Sequence, residues 1–121
     1  MQDIAAQLIK KIPQGVAVGI YDFEKEREEA VVTLLPGHDP EKAARVYSFI
    51  YREIAKALSY LPSEVGGFKN LSVISGKAVF FIYSVPETPY ILVAAIPREG
   101  NVGLAKVMME KSAKEMARTV G

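Results

Sequence analysis

Tyr90-Ile-Leu-Val-Ala-Ala-Ile-Pro97 runs directly into Arg98-Glu-Gly-Asn-Val-Gly-Leu104, and this strand-to-helix exit is the most diagnostic segment of the chain. An apolar run of strand length stops at Pro97, turns at Gly100 and feeds a helix-period segment over residues 102–118. Asn101 is placed as the N-cap, where its side-chain oxygen accepts from a free first-turn amide. Gly103 and Ala105 are expected where a bulkier side chain would hold the helix away from the sheet. The segment carries no obvious catalytic chemistry.

Working outward, residues 78–85 and 66–75 read as two further strands, joined at Ser75-Gly-Lys77. Before them, Pro36-Gly-His-Asp-Pro40 is a turn and a helix start in one: Asp39 caps, Pro40 takes the first helical position and Glu41 suits the positive end of the dipole. That helix is expected to end near Leu61, ahead of Pro62. Residues 16–23 and 29–35 form a strand pair around the charged connector Glu24–Glu28, and residues 3–12 form an opening amphipathic helix stopped by Pro13 and Gly15. Short connections make neighbouring strands antiparallel. Strands apolar on both faces require helices on both sides, so the fold class is α+β, a three-layer α-β-α sandwich.

The totals bound the function. At 121 residues the chain reads as one domain, residues 1–121, able to bury a core without metals or bridges. It has no cysteine and a single His38, which excludes disulfides, thiolate sites, cysteine nucleophiles and multi-histidine metal centres. A formal charge of +1 gives no basic footprint for nucleic acid. No signal-peptide core or membrane-length apolar run is present, so a cytoplasmic location without membrane insertion is expected.

The long helix carries too much apolar surface. Val46, Ala57, Ile50, Ala43, Leu61, Ile54, Tyr47, Leu58 and Tyr51 span an arc of roughly 140°. Along one flank lie the small residues Ala44, Ser48, Ala55 and Ser59, and on the polar side Phe49 and Tyr60 sit among Arg45, Arg52, Lys56 and Glu53. Two readings follow. Either the small row settles the helix on its own sheet, or it lets two copies approach closely in a homodimer, leaving the aromatics for a partner. The strand holding Leu71 and Val73 is mixed with Lys69, Asn70 and Ser72, as an edge would be. It is open to pairing with a twin, or it is guarded by Lys69.

Several motifs resemble chemistry. Ser75-Gly-Lys77 lacks the upstream glycine and the following helix of a phosphate loop, so it reads as a hairpin turn. Gly100-Asn-Val-Gly103 has the spacing of an RNA clamp without its basic residues, and reads as a helix cap. His38 beside Asp39 has no nucleophile near it and reads as a solvent-facing turn histidine. Asp22 and Glu24 read as the rim of a solvated hairpin, and Met108, Met109 and Met116 as core.

The opening helix ending in Ile12-Pro-Gln-Gly-Val16 and the exit Gly100-Asn-Val-Gly-Leu-Ala105 resemble the Roadblock family of dynein light-chain-like domains, in its MglB-type bacterial and archaeal form. The resemblance covers nearly the whole chain. It implies a five-stranded antiparallel sheet in the order 2-1-5-4-3, with one helix on one face and two on the other, as in Roadblock, longin and profilin-like folds. It further implies a homodimer or heterodimer joined through the central helix and third strand, and binding of a Ras-like small GTPase. It carries no catalytic residue, cofactor or metal. The chain departs from the common Asp-x-x-Gly turn, having Asp22-Phe-Glu-Lys-Glu-Arg-Glu28 instead, so the hairpin tip is expected to differ. The expectation is a non-catalytic homodimeric adaptor or regulator of a small GTPase. Ala44, Ser48, Tyr51, Ala55, Ser59, Leu71 and Val73 would line the dimer interface, and Arg45, Phe49, Arg52, Lys56 and Tyr60 the partner surface. The alternative is a small-ligand sensing or scaffold module of a larger complex. A hydrolase or transferase fails for want of a convergent acid, base and nucleophile.

Overall fold

A computed structural model describes residues 1–120. Its elements run α1 (Gln2–Lys11), β1 (Ala17–Asp22), β2 (Arg27–Thr33), α2 (Pro40–Ser59), a short 3-10 turn (Ser63–Val65), β3 (Asn70–Ile74), β4 (Ala78–Ser84), β5 (Tyr90–Pro97) and α3 (Val102–Val120). The five strands form one antiparallel sheet in the order β2-β1-β5-β4-β3. The first and last strands of the chain are therefore neighbours at its centre. There, hydrogen-bonded on both sides, Val18, Ile20, Leu92 and Ile96 are fully buried.

Local chemistry fixes the element ends. Asp39 caps α2 by accepting from the Lys42 amide at 3.1 Å, with Pro40 at the first helical position. Asn101 does the same for α3, accepting from the Leu104 amide at 3.0 Å. Ala105 is fully buried, as close packing on the sheet demands. Gly103 is not needed for that packing: it is exposed, and the nearest atom to an added Cβ would be Asn101 Oδ1 at 3.7 Å.

Each face of the sheet has its own core. On one, α1 and α3 bring Ala5, Leu8, Ile12, Ala105, Met109, Ala113 and Met116 against Val18, Ile20, Phe81, Leu92 and Ile96. On the other, Tyr21, Ala44, Ile82, Ile91 and Val93 form a smaller cluster beneath α2. The large core is complete, and the small one lies under a single helix.

Two strand boundaries differ from expectation. β2 begins at Arg27, because the β1–β2 hairpin is tight: Asp22 is buried and accepts from the amides of Glu24 and Lys25 at 3.0 and 2.9 Å, and Glu26 closes the turn at φ 51°. Asp22 is thus a turn-forming carboxylate rather than a solvated rim residue. β3 begins only at Asn70, because Gly66, at φ 82°, ends the 3-10 turn and the chain stays irregular through Lys69.

Candidate functional site

The α2 face of the sheet is only half covered. α2 packs over β1 and β2. Toward β4 and β3 it reaches with side chains: Tyr47 meets Phe80 edge-on at 6.4 Å, and Tyr51 meets Phe68 edge-on at 5.1 Å while stacking on Phe23 at 4.3 Å. Beyond them Phe80, Leu71 and Val73 remain half-buried, with Leu71 opposite Ile82 and Val73 opposite Phe80 on the same face.

The orientation of α2 settles which of its flanks is spare. Ala44 and Ser48 are 1% and 0% exposed, directly over the sheet. They do not face a second helix, and their expected place in a dimer interface is corrected. A helix lying close on a sheet needs small side chains at the line of contact, and the bulky ones are displaced to either side. Ala55 and Tyr51 are half-buried on the same side, whereas Ser59 is exposed and donates to its own helix, at the Lys56 carbonyl. The apolar flank beside Tyr47 and Tyr51 comprises Val46, Ile50, Ile54 and Ala57, of which Val46 and Ala57 are exposed and the two isoleucines half-buried; Val46 also walls a cleft over β1 and β2. These four belong to the apolar arc visible in the sequence, and helical periodicity alone does not say which side of that arc meets the sheet.

On the opposite flank Arg52 donates to the Phe23 carbonyl at 2.8 Å and pairs with Glu26 at 2.7 Å. Arg52 therefore clamps the β1–β2 hairpin to α2 and is not a free partner-facing cation. Arg45, Phe49, Lys56 and Tyr60 are exposed on the outer side, away from the sheet.

The two sheet edges are unequal. Along β2, the Gln2 side-chain amide donates to the Val31 carbonyl at 2.8 Å and accepts from the Val31 amide at 3.2 Å, as a neighbouring strand would. Among the described residues β3 has no such guard, and Ile74 is exposed on it.

Between the first half of α2 and the sheet lies a cleft of about 360 Å³. Its floor is small, formed by Ala17, Gly19 and Ala95, and Val46, Tyr47 and the loop around Leu35 form its walls. Gly19 is required there, since a Cβ would lie 2.6 Å from the Tyr21 ring. At one end Tyr21 donates to Glu28 Oε2 at 3.0 Å, and His38 Nε2 lies 2.6 Å from the same oxygen. His38 is exposed in its turn, as expected, and its ring is in addition tied to Glu28. No sequence signal links it to Glu28, which stands ten residues away beyond a β-bulge. Burial first, and Glu28 second, push the Tyr21 hydroxyl far above its ordinary range. No group of three metal-ligating side chains occurs among the described residues.

No protein-family model and no curated protein matches this chain. Solved structures do. A Roadblock/LC7 domain from Streptomyces avermitilis superposes with a TM-score of 0.85 over 99% of this chain and 97% of its own, at 14% identity. The fold is that of a Roadblock domain. Myxococcus xanthus MglB matches equally well, with a TM-score of 0.85 over 98% of this chain and 92% of its own, also at 14% identity. A structure of MglB in a tetrameric arrangement matches at a TM-score of 0.73, with 16% identity over 96% of this chain and 84% of its own. Within this Roadblock fold, the half-bare sheet, the spare flank of α2 and the open edge of β3 form one continuous surface.

Proposed function

We propose that this chain is a non-catalytic adaptor or regulator that forms a homodimer and, as a dimer, engages a Ras-like small GTPase. The observation that carries the reading is the uncovered half of the sheet. A second copy turned about a two-fold axis would pair its β3 with this β3 and lay its α2 flank over Phe80, Leu71 and Val73. Such an axis makes every contact twice, and the apolar flank Val46, Ile50, Ile54 and Ala57 meets its own counterpart. The Gln2 guard on β2 supports β3 as the pairing edge, since only one edge is left open. The tetrameric MglB among the structural neighbours is consistent with assembly through Roadblock surfaces.

In that dimer Arg45, Phe49, Lys56 and Tyr60 stay outside and make the partner surface, with exposed aromatics beside cations as in protein-contact patches. Immobilised protein incubated with small GTPases loaded with GDP or a GTP analogue tests this. Retention that is lost in Phe49→Ala or Tyr60→Ala, with the oligomeric state unchanged, is expected. Equal retention by wild type and variants, or none in either nucleotide state, refutes the partner surface.

The cleft beneath α2 favours a second reading, a small-ligand module. Its walls are mainly apolar, and the polar cluster at its end is already satisfied by Tyr21, Glu28 and His38. We therefore favour filling by apolar side chains of a second copy.

A further inference from the structure

Charge is distributed unevenly between the two sides of the sheet. α1 and α3 carry six cations, Lys10, Lys11, Lys106, Lys111, Lys114 and Arg118, against three anions, Asp3, Glu110 and Glu115. That layer is net +3, while the whole chain is +1, so the remainder is net −2. The near-neutral total conceals a basic helical face.

The arrangement of that face is specific. Ala105, Met109, Ser112, Ala113 and Met116 turn α3 toward the sheet, which leaves Leu104, Val107, Lys111, Lys114 and Arg118 in one outward stripe at helical spacing. The stripe is apolar at its first turn and basic over the remaining three. It extends about 21 Å along the helix axis. The antiparallel α1 lies beside it and adds Lys11, which shares a groove with Lys111. Lys114 pairs with Glu110 at 3.4 Å at a largely exposed site, a contact easily exchanged for another anion.

We propose that the α1–α3 face docks on an anionic lipid surface, with the cations among the headgroups and Leu104 and Val107 seated at the acyl boundary. Five of the six cations are lysines, and the face presents no aromatic anchor. Lysine is depleted in protein–protein interfaces, whereas a diffuse lysine field beside exposed aliphatics suits a peripheral helix on a charged bilayer. The face lies across the sheet from α2, so the inference stands independently of dimerisation.

Flotation of the full chain with vesicles of phosphatidylcholine alone, or of phosphatidylcholine mixed with phosphatidylglycerol, tests it. Binding to the anionic vesicles only, weakened by salt, is expected. Each cation near such a surface contributes roughly fivefold in partitioning, so Lys111→Gln, Lys114→Gln and Arg118→Gln together should weaken binding about a hundredfold. All three side chains are exposed, and an unchanged circular dichroism melt confirms that the variant folds. Leu104→Ser with Val107→Ser should weaken binding further while keeping its salt dependence. No binding to anionic vesicles overturns the proposal, as does equal binding to neutral ones. So does a wild type that ignores vesicles but binds a polyglutamate peptide, which would make the face a site for acidic protein.

Discussion

Replacing Val46 with arginine separates the dimer from the fold. Val46 is 46% exposed on the spare flank of α2, so an arginine there can extend into solvent in the isolated chain. Full burial of a valine is worth about 1.5–3 kcal/mol, and about half of that remains to be gained at Val46 on association, roughly 1 kcal/mol per copy. The two-fold axis uses the position twice, giving about 2 kcal/mol per dimer, which corresponds to a roughly thirtyfold weaker Kd. Confining two guanidinium groups near the axis adds to the loss. Sedimentation equilibrium over a concentration series reads the Kd, and a thermal melt reads the fold, which should be nearly unchanged. An unaltered Kd in Val46→Arg would refute the assignment of this flank to the interface, whatever the wild-type mass.

Three further outcomes follow from the same geometry. Ser48→Arg should lose the fold rather than split a dimer, because Ser48 is fully buried over the sheet, whereas Ser48→Ala should be neutral or stabilise by up to about 1 kcal/mol, since its hydroxyl has no hydrogen-bond partner; urea titration of both checks this. The unfolded chain ionises Tyr21 near pH 10 while the fold keeps it protonated, so the unfolded state binds fewer protons above that pH. Stability contributed by Tyr21 is complete below pH 10 and falls above it at about 1.4 kcal/mol per pH unit, and Tyr21→Phe should flatten that part of the alkaline unfolding profile. Arg52→Ala frees the β1–β2 hairpin from α2 and should cost about 1 kcal/mol, a drop in Tm of about 4 °C, because the pair it breaks is substantially exposed.

Most of the fold is legible in residues that permit one local answer. Asp39-Pro40 starts a helix, Asn101 starts another, and Ser75-Gly-Lys77 turns a hairpin whose Ser75 hydroxyl donates to the Ala78 carbonyl at 3.1 Å. The start of β2 is obscured in the sequence because Arg27 and Glu28 read as part of a solvated connector. In the fold Glu28 is instead held by Tyr21 and His38, partners that only the tertiary structure brings near. The candidate surface was half legible. An excess of apolar area on α2 is visible, but within the row of small residues the sequence does not distinguish Ala44 and Ser48, which serve close approach to the chain's own sheet, from Ala55 and Ser59, which are half-buried and exposed. Periodicity measures how wide an apolar arc is; which edge of the arc touches the sheet depends on helix placement, and α2 sits off-centre over β1 and β2. The clamping role of Arg52 is hidden for a related reason: its partners, Phe23 and Glu26, lie at the tip of a hairpin whose position the sequence does not specify.

A second copy covering the bare half of the sheet doubles the mass of the particle in solution. Light scattering coupled to size-exclusion chromatography at micromolar concentration measures this directly. A molar mass twice the 13.3 kDa of the chain is expected; a value equal to the single chain would rule the dimer out.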